Sequence, residues 1–367
     1  MTRTKDMQLY KQIKNVMSEH EAIGLAISAF NRGGEILYQN CFGHRDIEKD
    51  LPVNADTVFG LASITKSFTC LSIMQLAEKG IIDINQPVSA YIPELSWQEI
   101  TLHHLMSNSS GIPMQTQKGR EKIIVSTIAE QKGFSPEKDG DLAYNEAFVK
   151  AGADVLISEL SSSNDFAGKP GETYNYGNDG FSLLSEVIRR CSNEKTYASY
   201  VKKEILKPLG MMRSGGDYIW GDDTNISLLY DEGGNIFDVH HNSTSMMGNG
   251  GLKSTINDMK RYVCMYMNMG KSLDGKVIVS PDTIAEITKQ RIQIDADNRQ
   301  LHYGYGLMVA ENFPCRIFHS GGMTGISSYM AWSNDKGIGV IVLCNTNGIN
   351  VHDNIGLEVL RHYCMLF

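Results

Sequence analysis

Strand-forming segments stand at both ends of this 367-residue chain, and that placement constrains its fold more than any other feature. Near the amino terminus, GLAISAF and EILYQNCFGH are separated by Asn31-Arg32-Gly33-Gly34, a hairpin signal because glycine takes the positive φ of a tight turn. Toward the carboxyl terminus, YGYGLMVA, CRIFHSG, SSYMAWSN and GIGVIVLCNT follow one another through short Gly- and Asn-containing turns, which predicts a largely antiparallel sheet. EITKQRIQI reads as neither clear helix nor clear strand. Helical periodicity marks residues 7–20 (Leu9, Ile13, Val16, Met17), and residues 64–79 form an apolar helix that ends at Gly80. From about 81 to 240 the texture is helical, as at 145–160 and 180–192, with polar loops; the stretch 114–142 reads as a long surface loop over a site. A closing helix is predicted over 352–365. The expectation is an α/β (α+β) fold: an antiparallel sheet flanked by helices in a discontinuous domain, 1–80 and 241–367, with a mostly helical domain inserted at 81–240.

Hydrophobic residues make up 42% of the chain and charged residues 21%, as in a globular protein. The net charge of −8 comes without basic or acidic blocks, which argues against nucleic acid as a partner. The opening MTRTKDMQLYKQIKNVMSEHEAIG lacks the apolar run of a secretory signal, and no stretch is apolar for the ~18 residues of a membrane span. Cys41, Cys70, Cys191, Cys264, Cys315, Cys344 and Cys364 are scattered and never spaced as CxxC, so reduced thiols in a cytoplasmic protein are expected.

Several familiar motifs fail. Met269-Gly270-Lys271-Ser272 lacks the earlier glycine of a phosphate loop, no HExxH occurs, and no GxSxG elbow occurs. The pairs His103-His104 and His240-His241 are badly spaced for one metal, and Gly248-Asn249-Gly250-Gly251 is no dinucleotide fingerprint. No metal or other cofactor is called for.

Ser-x-x-Lys occurs at Ser63–Lys66, but equally at Ser135, Ser192, Ser199 and Ser333. Context separates them, because Ser63 follows FGLA and opens the most apolar helix of the chain, whereas the others fall in polar stretches. A three-residue spacing on a helix puts serine and lysine on one face. The helix amino terminus adds free N–H groups suited to a developing oxyanion, and burial there disfavours the ammonium form of Lys66. Tyr176-Gly177-Asn178 lies at a loop-to-helix junction, where the phenol can relay a proton and the Asn178 amide can meet a substrate carbonyl. The similar Tyr38–Asn40 and Tyr266–Asn268 are assigned to packing. His319-Ser320-Gly321-Gly322 falls on a strand whose small residues admit a substrate backbone; His302-Tyr303-Gly304 shares part of that pattern without the second glycine.

With these residues in place, the chain resembles the serine β-lactamase and penicillin-binding-protein superfamily, in its class C, D-alanyl-D-alanine carboxypeptidase, D-aminopeptidase and esterase branch. FGLASITKSFTCLSIMQLAEKGIIDINQPVSAYIPEL, ITLHHLMSNSSGIP, PGETYNYGNDGFSLL, ILKPLGM, GNGGLKSTINDMKRY, YGYGL and HSGGMTGISSY occur in family order across nearly the whole chain. The resemblance implies Ser63 as nucleophile, Lys66 as its partner base, Tyr176 as a second acid or base and Asn178 as a substrate-binding amide. It implies an oxyanion hole from the N–H groups of Ser63 and Gly322, and a cleft between the two domains. Many members carry lysine where this chain has His319, which is mostly neutral at pH 7 and a weaker anchor for a carboxylate. That departure points to a peptidase for D-amino-acid-containing peptides or an esterase, working through an acyl-serine on a small-molecule or short-peptide substrate. Alternatives on the same scaffold are a weak β-lactamase or an acyltransferase, and, from another class, a catalytically silent acyl-peptide- or protein-binding relative.

Overall fold

The computed structural model describes residues 2–112, 131–162, 166–216, 225–238, 247–295 and 297–367. His240-His241 and most of the expected loop 114–142 lie outside the described residues. In chain order the strands used below are β1 (Gly24–Asn31), β2 (Ile36–Asp46), β3 (Leu51–Pro52), β4 (Phe59–Gly60), β5 (Leu229–Tyr230), β6 (Ile236–Asp238), β7 (Lys253–Ser254), β8 (Ile292–Asp295), β9 (Asn298–Tyr303), β10 (Met308–Ala310), β11 (Arg316–Met323), β12 (Ile326–Ser333) and β13 (Ile338–Cys344). The main helices are α1 (Thr2–Glu19), α2 (Thr65–Glu78), α3 (Leu102–Met106), α4 (Glu146–Ser161), α5 (Asn178–Cys191), α6 (Ile256–Met267), α7 (Pro281–Thr288) and α8 (Leu357–Leu366).

Among the described residues nine strands form one sheet in the order β3-β2-β1-β13-β12-β11-β10-β9-β8, and each neighbouring pair is antiparallel. The sheet is thus closed at its centre by strands from the two ends of the chain, with Ile27 opposite Val342. Side chains alternate across a strand, and both faces are covered. Leu25, Ile27 and Ala29 of β1 and Val340 and Val342 of β13 join Leu9, Ile13 and Met17 of α1 and Val359, Leu360 and Tyr363 of α8. Ala26 and Phe30, with Ile341 and Leu343, point the other way, into a core shared with α2, α6 and the helices of the chain's middle.

Within that second core α2 is enclosed on all sides: Thr65 through Leu76 are buried, including Lys66, Thr69 and Gln75. Its hydroxyls are satisfied internally or by neighbours; Ser72 Oγ donates to Phe68 O, and Thr69 Oγ1 donates to Gly248 O at 2.7 Å. Stacking of Phe68 on Tyr262 of α6, with ring centroids 3.8 Å apart, fixes α2 against α6.

The structure differs from the sequence expectation in three local respects. Helix α1 starts at Thr2 rather than residue 7. EITKQRIQI divides between the end of α7, which Ser280 caps by accepting from Thr283 N–H, and the start of β8. Only Met308–Ala310 of YGYGLMVA pairs with β9 and β11, because Gly304–Leu307 turns, with Gly304 N–H bonded to Leu307 O and Gly306 at φ +65°. That turn lies hard against α2; a Cβ on Gly306 would sit 2.6 Å from Lys66 O.

Candidate active site

Ser63 lies in a single 3₁₀ turn, Ala62–Ile64, that leads directly into α2. Ala62 before it has φ +44°, a left-handed conformation that costs a non-glycine residue on the order of 1 kcal/mol. The turn is held by Leu61 N–H to Leu252 O at 2.9 Å and by Ser328 Oγ–H to Leu61 O at 2.8 Å, so both the glycine-rich segment before β7 and strand β12 brace it.

One turn further on, Lys66 is fully buried. Its Nζ lies 3.0 Å from Ser63 Oγ, 2.8 Å from Asn178 Oδ1 and 2.7 Å from Asn249 O. It also sits over the rings of Tyr176 and Phe181, at 4.8 and 5.4 Å from their centroids. All three hydrogen-bond partners are neutral, so desolvation dominates and lowers the lysine to about 7. Tyr176 OH donates to Ser63 Oγ at 2.7 Å, and burial pushes this phenol up to about 12. Ser63 Oγ therefore has two partners, an amine close to neutrality and a phenol that keeps its proton.

Tyr176 and Asn178 come from the junction where an extended segment enters α5, with Gly177 as its N-cap residue. That junction is strapped to the segment after α3: Asn175 N–H bonds Asn108 O at 2.7 Å, Gly177 N–H bonds Asn108 Oδ1 at 3.1 Å, and Gly171 N–H bonds Ser109 O at 2.7 Å.

The third side of the site is β11. Strand β10 pairs with it only from Arg316 to Phe318, so among the described strands the edge from His319 to Met323 has no second neighbour. A Cβ on Gly321 would overlap Leu61 O and Ser328 Oγ, which is why this position admits nothing larger than glycine beside the Ser63 turn. A Cβ on Gly322 would meet nothing within 4 Å, so the strand opens there onto free space. Ser320 and Gly322, with Asn347, Asn350 and His352, line a cavity of about 290 Å³ whose walls include none of Ser63, Lys66, Tyr176 and Asn178.

His319 is enclosed by the protein. The ring is 1% exposed, with Nδ1 2.6 Å from Ser320 O and Nε2 3.1 Å from Tyr303 OH. A carbonyl only accepts, so Nδ1 carries the hydrogen and bare Nε2 accepts from the phenol. Burial, reinforced by Lys66 nearby, lowers this histidine to about 3. His319 is therefore neutral across the physiological range, and both ring nitrogens are taken by the protein.

The structure thus brings Ser63, Lys66, Tyr176 and Asn178 together and sets Gly321 against the Ser63 turn, whereas Ser320 lines a cavity that those four residues do not reach. Reading the sequence missed three contributors. Asn249, set aside as part of a failed fingerprint, supplies a carbonyl to Lys66 and donates through Nδ2 to Ser182 Oγ at 2.9 Å. Tyr303, in the dismissed His-x-Gly match, holds His319. Asn108 fastens the tyrosine junction, and its position in HLMSNSSG was the available signal. His103 and His104 serve locally: His103 Nδ1 pairs with Tyr305 OH at 2.6 Å, and His104 completes the cap of α3 with Thr101. Among the described residues no three His, Cys, Asp or Glu side chains converge as metal ligands do.

A serine turn opening a buried helix, a lysine one turn on and a strand edge alongside are the features of an active-serine, acyl-enzyme class of fold. The Beta-lactamase family model matches residues 9–363, and the chain belongs to that family. It is 24% identical to "Penicillin-binding protein 4*" of Bacillus subtilis (strain 168), covering 99% of this chain and 76% of that one. It is 21% identical to "Protein flp" of Staphylococcus aureus (strain N315), over 99% of this chain and 68% of that protein. Among solved structures, the octameric penicillin-binding protein homologue from Pyrococcus abyssi superposes with a TM-score of 0.76 at 28% identity, covering 98% of this chain and 76% of that one.

Proposed function

We propose that the protein is a serine hydrolase of ester or amide bonds that forms an acyl enzyme on Ser63. The observation that carries this reading is Ser63 Oγ lying 3.0 Å from a lysine held at about 7 and 2.7 Å from a phenol held at about 12. Neutral Lys66 has two hydrogens and one lone pair. Asn178 Oδ1 and Asn249 O take the hydrogens, which leaves the lone pair for the Ser63 hydroxyl. Lys66 is accordingly the base and Tyr176 the acid.

In acylation, Ser63 Oγ attacks the carbonyl carbon while its proton passes to Lys66 Nζ. The N–H groups of Ser63 and Gly322 hold the tetrahedral oxyanion. The leaving heteroatom departs with a proton from Tyr176, which Lys66 restores. Water then attacks the acyl-serine and gives a proton to Lys66, which passes it to Ser63 Oγ as the acyl bond breaks, so that Ser63 departs as the hydroxyl and Lys66 is neutral again. Asn178 both orients Lys66 and offers its amide N–H₂ to the substrate.

Residues 1–80 with 241–367 supply Ser63, Lys66 and β11, whereas 81–240 supplies Tyr176 and Asn178; this supports a two-domain division with the site in the cleft between. The neutral, enclosed His319 gives no charge to a substrate carboxylate, which favours D-amino-acid-containing peptides and esters over efficient β-lactam turnover. A cytoplasmic setting is supported by seven free cysteines. No helix among the described residues is long and apolar enough to cross a membrane.

Release of p-nitrophenol from short esters, abolished in Ser63→Ala, tests the reading. Equal inertness of both proteins across an ester and amide panel would refute it and leave a binding role.

A further inference from the structure

We propose that Thr69 and Ser182 are positioning residues that act on Lys66 through one backbone turn, Met247–Asn249, which they hold against α2. The proposal rests on the serine-acylation reading above, because the turn sets which way the Lys66 amine faces Ser63.

Lys66 and Thr69 stand three residues apart on α2, so their side chains leave one face of the helix. They meet two consecutive carbonyls of the turn. Thr69 Oγ1 donates to Gly248 O at 2.7 Å, and Lys66 Nζ donates to Asn249 O at 2.7 Å. A carbonyl only accepts, so the single hydrogen of the threonine hydroxyl goes to Gly248 O. The Thr69 oxygen is then the acceptor for the phenol of Tyr197, 2.8 Å away at the start of the short helix Tyr197–Val201. Burial keeps that phenol protonated, so it stays a donor. From the other side, Asn249 Nδ2 donates to Ser182 Oγ of α5 at 2.9 Å. The residue whose carbonyl faces Lys66 is thus held by its own side chain as well.

Packing closes the turn. A Cβ on Gly248 would lie 2.8 Å from Phe181 O, 2.8 Å from Ser185 Cβ and 3.1 Å from Thr69 Oγ1, so only glycine fits between α2 and α5. Three residues beyond Asn249, Leu252 N–H donates to Thr65 Oγ1 at 3.1 Å, and Leu252 O accepts from Leu61 N–H beside Ser63. The hydrogen bonds of Ser63 Oγ and Lys66 Nζ include neither Thr69 nor Ser182, so the influence of these two residues passes through the turn.

The neutral amine gives its hydrogens to Asn178 Oδ1 and Asn249 O, which aims the lone pair at Ser63. When the turn drifts, one hydrogen loses its acceptor and the lone pair loses its direction. The ammonium loses an acceptor too, and hydrogen bonds to the charged form are what hold its proton. A loosened turn therefore slows acylation and moves Lys66 below its value of about 7. The titratable groups facing Lys66 among the described residues are Tyr176 from the α5 junction, His319 from β11 and Cys70 one turn along α2. Burial holds the phenol at about 12, the histidine at about 3 and the thiol well above its ordinary value, so an inflection near neutrality belongs to Lys66.

The test is the pH dependence of acylation by p-nitrophenyl acetate in the full chain, comparing Thr69→Val, Thr69→Ser and Ser182→Ala. Valine keeps the shape of threonine and removes the hydroxyl, whereas serine keeps the hydroxyl. Thr69→Val is expected to slow the plateau rate ~10-fold and to lower the midpoint by about half a pH unit, with KM within ~2-fold. Thr69→Ser is expected to restore the plateau to within ~2-fold of wild type and the midpoint with it. Ser182→Ala, which alters no residue of α2, is expected to act in the same direction by ~3-fold, and it decides the matter if the valine protein does not fold. A slowed rate with an unmoved midpoint, unchanged kinetics in both Thr69→Val and Ser182→Ala, or a serine variant as slow as valine would overturn the proposal.

Carbon NMR of the lysine Cε groups follows the same titration without a substrate, with Lys66 identified by the signal missing from Lys66→Met. The signal is expected to titrate at about 7 in the wild type and lower in Thr69→Val. Identical titrations in the two proteins would overturn the role of the turn whether or not Ser63 is acylated. A protein that shows the shift yet never acylates would overturn the reading of the site and leave the role of the turn standing.

Discussion

Two buried bases flank the candidate site, one in the Ser63 turn and helix α2, the other on β11, and burial acts on them alike with opposite consequences. Lys66 falls from an ordinary 10.5 to about 7, into the range where a base works at neutral pH. His319 falls from 6.5 to about 3, out of that range. Their hydrogen bonds sharpen the contrast. Lys66 gives its hydrogens to Asn178 and Asn249 and faces Ser63, whereas His319 spends both nitrogens on Tyr303 and Ser320. Desolvation alone does not make a buried base functional; the starting value and the direction of the remaining lone pair decide.

Removing the Lys66 amine should have the largest effect. Lys66→Ala is expected to slow acylation by ~10³-fold with the fold retained, and a loss below ~10-fold would move the base elsewhere. Lys66→Arg should not restore activity, since a guanidinium stays protonated. Tyr176→Phe should cost ~10²-fold in kcat, because the leaving group loses its proton donor; near-normal turnover would leave the phenol a packing role.

The pH profile separates the two bases directly. Acylation should rise about tenfold per pH unit below about 7 and level off above it, as Lys66 loses its proton. No further inflection from His319 is expected between pH 5 and 8, and His319→Gln should leave the midpoint of the curve within a few tenths of a unit. A midpoint that vanishes in His319→Gln would reverse the assignment.

The smallest expected effect is on stability. Lys66 has a lower pKa folded than unfolded, so the unfolded chain binds the extra proton between about 7 and 10.5 and stability from this group rises with pH across that window. Below it the burden is constant, on the order of 5 kcal/mol. Lys66→Met should therefore raise the melting temperature at pH 6 more than at pH 10, and equal melting curves at both pH values would contradict the buried, neutral lysine.

Much of the architecture was legible because its signals are local. The Asn31–Gly34 turn between two strand-rich runs gives the β1–β2 hairpin, and the apolar run after Ser63 gives α2. The pairing of β1 with β13, more than 300 residues apart, is a product of tertiary packing that no local window records. The same division holds at the site. Ser63, Lys66, Tyr176 and Asn178 stood out through spacing and order, whereas Asn249 and Tyr303 act through a backbone carbonyl and a contact across the fold. His319 was recognised, but its burial and tautomer depend on β9, which arrives from elsewhere in the chain. Ala62 gave no signal at all, since only the folded turn reveals its positive φ.

The central claim is that Ser63 is the atom donor of the acyl bond, and the most direct measurement is peptide mapping by mass after brief reaction with p-nitrophenyl acetate. A single acetyl group on the peptide containing Ser63, absent in Ser63→Ala and formed slowly in Lys66→Ala, is the predicted result. An acetyl group carried on another residue, or an unmodified Ser63 in a protein that still releases p-nitrophenol, would contradict it.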